Sequence, residues 1–328
     1  MWSSFVLPET ANRKLNYICP MRVFRDLNDL PVFKNAVITI GTFDGVHKGH
    51  QKLIERIKSL SKKIDGESIM VTFHPHPRIV INPEDKSLRL LNTIEEKIAL
   101  LEKYEVDNVV IVPFSRHFSE QSAEDYIENF LVKNFHAKYI VIGYDHKFGK
   151  NRAGDYKLLE KMKHDFGYEM EEITKETLDD IGISSTKIRT ALESGQIKLA
   201  NELSGHPYTL SGTVVRGLQN GRKLGFPTAN IQVSDEYKLI PKTGIYAVRV
   251  LYKNDLFGGM LSIGYNPTFN GKVQTTEVYI LDFDKDIYGE SLTLQFIDHI
   301  RDEKKFDSVE ALIEEMKNDE KVTRGMLA

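Results

Sequence analysis

Ala36-Val37-Ile38-Thr39-Ile40-Gly41-Thr42-Phe43-Asp44-Gly45-Val46-His47-Lys48-Gly49-His50 decides how this chain is read. The opening apolar run predicts a buried strand over 36–43. After it, Leu53, Ile54, Ile57 and Leu60 recur with helical spacing and predict a helix over 46–64. A strand that turns straight into a helix points the helix's free N–H groups, and the positive end of its dipole, at whatever sits on the turn. An anion is favoured there. Gly41, Gly45 and Gly49 let a phosphate approach the backbone closely, and Phe43 and Asp44 complete the loop. His47 and His50, one helical turn apart, can donate hydrogen bonds to a phosphoryl centre and to leaving pyrophosphate. Two histidines at this spacing are also met as structural or surface residues. Metal binding is a further alternative, although no third ligand stands out nearby. The strand-turn-helix frame favours the phosphate reading.

Working outward, strand patterns over 68–73, 108–112 and 139–142 alternate with helical patterns around 94–104 and after Ser122. Ser122 caps the latter helix, which carries Tyr126, Ile127, Phe130 and Leu131 on one face. Short continuous apolar strands between amphipathic helices predict an α/β, Rossmann-like domain with a parallel sheet covered on both faces. Ligands of such sheets bind beyond the carboxyl ends of the strands, where the quoted stretch begins its turn.

The second half changes rhythm. Strand candidates at 213–215, 229–233, 245–251, 259–263, 277–281 and 292–296 are separated by Gly, Asn, Asp and Pro, with no helix until about 308–317. That pattern predicts an antiparallel barrel or sandwich with a C-terminal helix. A short helix over 185–192 precedes it, and the boundary is expected between 193 and 205. The organisation expected is an extension over 1–20, one domain over 21–200 and a second over 201–328.

Bulk properties agree with two domains. The 328 residues exceed the usual size of one, and 41% hydrophobic with 28% charged residues is ordinary globular composition. Lys and Arg number 44 against 47 Asp and Glu, a net charge of -3. Without a basic excess, nucleic acid is not an expected partner, and anionic ligands must be met by local positive groups. The single cysteine, Cys19, allows no intramolecular disulfide and fits a reducing compartment. No apolar run is long enough for a spanning helix, and the first twenty residues lack a signal-peptide pattern. A cytoplasmic location, with no membrane partner, is the expectation.

Two more stretches suit phosphate chemistry. Ile183-Ser184-Ser185-Thr186-Lys187-Ile188-Arg189 puts hydroxyls and cations at a helix start, although alone it is an ordinary cap. Gly217-Leu218-Gln219-Asn220-Gly221-Arg222-Lys223-Leu224-Gly225 is a glycine-rich basic loop without the Walker order. It could equally be a barrel turn with solvated Arg and Lys. Phe226-Pro227-Thr228-Ala229-Asn230 follows, and its Thr hydroxyl and Asn amide oxygen are hard ligands suited to Mg²⁺ beside phosphates. A kinase also needs a base near its acceptor hydroxyl, and Glu277 in Thr275-Thr276-Glu277-Val278-Tyr279 is the candidate. An outward-facing strand glutamate is the alternative.

With these pieces quoted, a resemblance follows. GTFDGVHKGH at 41, TFHPHP at 72, GYDHKFGKNRAGD at 143 and ISSTKIR at 183 resemble the adenylyltransferase module of the prokaryotic bifunctional riboflavin kinase/FAD synthetases. GRKLGFPTAN at 221, GIYAV at 244, SIGYNPTF at 262, TEVYILDFDKDIYGE at 276 and IRDEKKF at 300 resemble its riboflavin kinase module. The likeness implies ATP phosphates at His47 and His50 and a triphosphate clamp at Ser185, Thr186 and Arg189. It implies flavin contacts at His76, Pro77, Asp145 and Gly149, with further ATP contacts at Gly221, Arg222, Lys223, Gly225 and Pro227. In the second module it implies Mg²⁺–ATP at Thr228 and Asn230, Glu277 as base, and Arg301 and Phe306 near the flavin. His74 and His146 depart from the commoner family pattern. The implied activity is phosphorylation of riboflavin to FMN, then adenylylation of FMN to FAD, with ATP at both sites and small molecules as the only partners expected.

Overall fold

The computed structural model describes residues 20–174, 182–217, 219–268 and 271–328. Cys19 and the rest of the extension before Pro20, Leu218 of the glycine-rich loop and Phe269 lie outside the described residues.

The first half forms a six-stranded, all-parallel sheet. Its strands are β1 (Arg22–Phe24), β2 (Val37–Ile40), β3 (Ser68–His74), β4 (Asn108–Pro113), β5 (Tyr139–Gly143) and β6 (Glu169–Ile173), in the order β1-β4-β3-β2-β5-β6. Neighbours along each strand serve opposite faces. Ile38, Val71, Val110 and Ile140 join one apolar cluster with Phe130 and Phe135. Val37, Met70, Val109 and Val141 join another with Leu53, Ile54 and Ile57 of α1 (Lys48–Lys63). β3, β4 and β5 match the expected strands, whereas β2 stops at Ile40, short of the expected 43, because the chain turns there and Phe43 takes a positive φ. β1 and β6 carry no apolar run: Glu169–Ile173 reads EMEEI, and as an edge strand it needs only one apolar face. The chain order reverses direction between β2 and β5, so a crevice opens beyond the carboxyl end of β2.

The second half is a closed six-stranded barrel, which settles the choice between barrel and sandwich. β7 (Thr209–Val215), β8 (Thr228–Gln232), β9 (Gly244–Tyr252), β10 (Asp255–Thr268), β11 (Gly271–Ile280) and β12 (Ser291–Arg301) run in the order β10-β11-β8-β7-β12-β9. The closing helix Val309–Leu327 is longer than its apolar pattern suggested. Its inner face is in part polar: Asp319 is buried and takes the Arg301 guanidinium at 2.7 Å.

The stretch expected to be a boundary is helical. Ser185–Glu193 is followed at once by Ile197–Ser204, which Gly205 ends in the left-handed conformation. Ile188, Leu192, Ile197 and Ala200 from these helices enter the barrel's own apolar cluster, as does Leu91 from the first half. A fully buried aliphatic side chain contributes roughly 1.5–3 kcal/mol. A fragment beginning at residue 185 is therefore expected to melt at least ~10 °C above one beginning at 204. Thermal denaturation of the two fragments by circular dichroism checks this, and equal midpoints would show that the helices add nothing to the barrel.

Candidate functional sites

The turn between β2 and α1 is built under strain. Phe43, Gly45 and Val46 all have positive φ, at 45°, 91° and 39°. Glycine adopts this freely, whereas a buried phenylalanine and a β-branched valine do not, at a cost of about 1–3 kcal/mol each. Packing holds them, since Phe43 is 2% and Val46 0% exposed. At Gly45 a Cβ would lie 2.6 Å from Leu91 Cδ1, so the loop is also pressed from outside.

The result is an open helix start with two imidazoles on it. His47 is the N-cap of α1 and makes no side-chain cap, and no acidic residue occupies the first turn. The His47 and His50 rings stack with centroids 3.7 Å apart, and Phe43 meets His50 edge-on at 5.3 Å. The Nδ1 atoms of both histidines are buried without a hydrogen-bond partner. Burial lowers the His47 pKa to about 4, against a partial upward pull from Asp44. It holds His50 well below the ordinary histidine value, with His47 and Lys97 adding to the effect. Both rings are therefore neutral at pH 7, and their close stacking further disfavours charging both.

The second clamp arrives from 141 to 145 residues away. The Ser185 hydroxyl donates to the Asp44 carbonyl at 2.9 Å. The Arg189 guanidinium pairs with the Asp44 carboxylate and donates from Nε to the Arg89 carbonyl at 2.5 Å. Asp44 is thus turned inward, 4% exposed, and also takes the Leu91 N–H at 2.8 Å. Thr186 is exposed on the same helix start. His76 caps the short helix Pro77–Ile81 and lines one cavity with Asp44. Asp145 is exposed on the turn after β5, and Gly149 (φ 70°) abuts Ala123, where a Cβ would be 2.8 Å from Ala123 Cα. His206 was not anticipated, and its Nε2 reaches the Gly45 carbonyl at 3.0 Å. Nor was Lys97. A histidine beside a domain junction and a lysine in a Glu-Glu-Lys helix turn carry no local signature.

At the barrel, strand register assembles the site. Asn230 on β8 lies opposite Glu277 on β11, and Thr228 opposite Tyr279. Residues two apart share a face, so Thr228, Asn230 and Glu277 project together, while Val278 between them points into the core. The Thr228 hydroxyl donates to the Glu277 carboxylate at 3.0 Å. Glu277 does face outward, as the alternative reading had it, but that face is roofed by the glycine-rich loop. A Cβ on Gly217 would lie 2.2 Å from Asn230 Nδ2, and one on Gly221 2.3 Å from the Phe226 carbonyl and 3.2 Å from Thr228 Oγ1. Arg222 and Lys223 stand exposed on the single turn Asn220–Lys223, with Gly225 (φ 85°) and Pro227 after it. Three hard oxygen donors under a basic glycine loop fit a divalent cation carried by a nucleotide. Arg301 is held elsewhere, between Asp319 and Glu315 of the closing helix, with its guanidinium 5.8 Å from the Phe306 ring centroid. It does not converge with Glu277 in this arrangement.

A parallel-sheet nucleotidyltransferase domain with one strained phosphate turn, fused to a kinase barrel with a second, defines a class of two-site nucleotide-using enzymes. Family models described as FAD synthetase and riboflavin kinase match residues 30–187 and 204–327. A bifunctional riboflavin kinase/FMN adenylyltransferase of Listeria monocytogenes is 40% identical over 296 residues, 90% of this chain and 93% of that protein. One of Haemophilus influenzae is 37% identical, covering 91% of this chain and 97% of its own length. A solved chain from Streptococcus pneumoniae, titled a macrolide-efflux protein, superposes with a TM-score of 0.81 at 33% identity over 93% of this chain and 99% of that one. The chain belongs to the bifunctional riboflavin kinase/FMN adenylyltransferase family. No described helix is long and apolar enough to cross a membrane.

Proposed function

We propose that the two sites carry the family's two reactions in series, and that the residues above divide the work as follows. At the barrel, the ribityl 5′-hydroxyl of riboflavin attacks the γ-phosphorus of ATP. The new O–P bond forms as the bond to the β,γ-bridging oxygen breaks, the hydroxyl proton passes to the Glu277 carboxylate, and FMN and ADP result. Thr228 and Asn230 are the residues that would hold Mg²⁺, which supplies charge neutralisation of the phosphates when bound. Gly221, Arg222, Lys223, Gly225 and Pro227 form the loop around them, and catalysis is mostly positioning. Arg301 and Phe306 border the flavin end.

At the first site, an FMN phosphate oxygen attacks the α-phosphorus of a second ATP, the bond to the α,β-bridging oxygen breaks, and pyrophosphate leaves with FAD formed. The nucleophile is already anionic, so no base is required. His47, His50, Ser185, Thr186, Arg189 and the N–H groups around Gly41, Phe43, Gly45 and Gly49 stabilise charge on the phosphates. Arg189 is pre-aimed by Asp44. His76, Pro77, Asp145 and Gly149 border the flavin. The observation that carries this assignment is the pair of orphaned imidazole nitrogens at an uncapped helix start. The single cysteine suits a cytoplasmic setting. Incubating the protein with riboflavin and MgATP and separating the flavins tests the scheme. FMN should accumulate first and FAD later, and a product mixture without either would overturn it.

A further inference from the structure

One cation inside the first site has no part in that scheme. Lys97, on the helix Ile94–Lys103, is 7% exposed. Its Nζ donates to the Thr42 carbonyl at 2.6 Å and lies 3.4 Å from Thr72 Oγ1. Thr42 belongs to the strained turn and Thr72 to the carboxyl-terminal part of β3, so the ammonium sits directly beneath the phosphate loop. It lines the cavity that also holds Asp44, His76 and Asn92. Asn92 is 4% exposed, and its Oδ1 is buried with no partner.

An ammonium taken out of water costs several kcal/mol unless a counter-charge meets it. Among the described residues, no carboxylate forms an ion pair with Lys97. Asp44 acts on it favourably, but that carboxylate is already committed to Arg189 and to the Leu91 N–H. A methionine of similar length would suit packing better. The feature makes sense if an anion completes the site. The cavity is lined by His74, His76 and Asn92 as well as Asp44, and the anion that would complete it on this side is the one that attacks.

We propose that Lys97 is a further substrate-contacting residue of adenylyl transfer, its ammonium receiving the phosphate of the incoming flavin mononucleotide from beneath the loop. The proposal rests on the reading that this site adenylylates FMN. Two of the ammonium's hydrogens are spent on Thr42 and Thr72, which leaves one to point the attacking oxygen. Burial lowers the Lys97 pKa to about 8, with Asp44 pulling it partly back. The charged or titratable groups around it are Asp44, His50, His74, His76, Arg189 and, from the barrel, Asp235. Of these, His50 and His76 have given up their protons far below pH 8, His76 at about 4. An alkaline limb near pH 8 therefore reports the ammonium.

The test measures FAD formation from FMN and ATP, the KM for each substrate, and riboflavin phosphorylation, in the full chain and in Lys97→Met and Lys97→Arg. Wild-type protein that makes no FAD under these conditions would remove the underlying reading. If wild type makes FAD, Lys97→Met should lose about 100-fold in kcat/KM for FMN. Binding of α,β-methylene-ATP should change less than about threefold, and the kinase reaction less than about twofold. Lys97→Arg should keep most of the activity and move the alkaline limb of kcat/KM for FMN above pH 9. An unchanged kcat/KM for FMN in Lys97→Met, or an equal loss of nucleotide binding, overturns the assignment. If Lys97→Met loses both reactions together, Lys97→Arg decides: a limb that stays at pH 8 overturns it, and one that moves supports it.

Discussion

Glu277→Ala should collapse FMN formation from riboflavin, by roughly 10² to 10⁴-fold, while FAD formation from supplied FMN survives. The carboxylate, beside Thr228 and Asn230, is the group proposed to take the hydroxyl proton, and general-base help is worth about that much. Its truncation removes a half-buried side chain from the outer face of the barrel without opening the core, since Val278 and Ile280 fill the inner face. His50→Ala should give the opposite pattern. On the proposed reading the ring donates to phosphate as a neutral imidazole, and losing one pre-aimed donor of this kind typically costs about 10²–10³-fold. The ring's aromatic contacts, Phe43 and His47, belong to the first half, so riboflavin phosphorylation should continue. Mixed together, the two variants should restore riboflavin-to-FAD conversion, FMN released by the second feeding the first. Separate assays of the two half-reactions on each variant check this. Loss of adenylyl transfer in Glu277→Ala, or of phosphorylation in His50→Ala, would sink the two-site scheme.

How much of this was legible in the sequence depends on whether the signal is local. The strand-turn-helix at 36–64 was legible because burial on both faces demands a continuous apolar run and α1 demands one apolar stripe. The Thr228–Asn230–Glu277 group was legible as residue types, but its convergence is a matter of register between β8 and β11, which the sequence does not print. Three features escaped for the same reason. Glu169–Ile173 joins the sheet through backbone bonds to β5 that acidic side chains do not announce. Ile197–Ser204 looked like a linker, yet its apolar residues are spent on the barrel. Asp44 looked like part of a phosphate loop, and only the fold shows its carboxylate turned onto Arg189 from 145 residues away. Resemblance supplied roles for flavin-side residues such as Asp145 and Arg301 that no spacing argument reaches.

The largest structural effect is expected at the junction of the two halves. Glu96 and Lys238 form an ion pair with side chains 4% and 0% exposed. Glu96 closes the capping box of its own helix by accepting from the Thr93 N–H at 3.1 Å, and its other oxygen accepts from the Ser211 N–H of the barrel at 2.8 Å. Lys238 donates to that carboxylate at 2.5 Å and to the Leu91 carbonyl at 2.7 Å, and lies 4.4 Å from the Tyr208 ring centroid. Burial lowers the Lys238 pKa, and Glu96 offsets part of the shift. Glu96→Ala removes the carboxylate paired with that buried ammonium, leaving only Asp44 and Asp235 to act on it without a hydrogen bond, together with two unmet backbone donors, and should destabilise the protein by about 3–5 kcal/mol. Replacing both residues, as Glu96→Leu with Lys238→Met, should recover a large part of the loss, because the desolvation cost disappears with the charge. Because Leu91 ties Lys238 on one side to Asp44 on the other, the single variant should also loosen the Arg189 clamp. FAD formation should then fall further than FMN formation at temperatures where the chain is still folded. Urea unfolding of the three proteins measures the first effect. A single variant within about 1 kcal/mol of wild type would mean that water reaches the pair, and the halves would then not be joined by a desolvated charge at all.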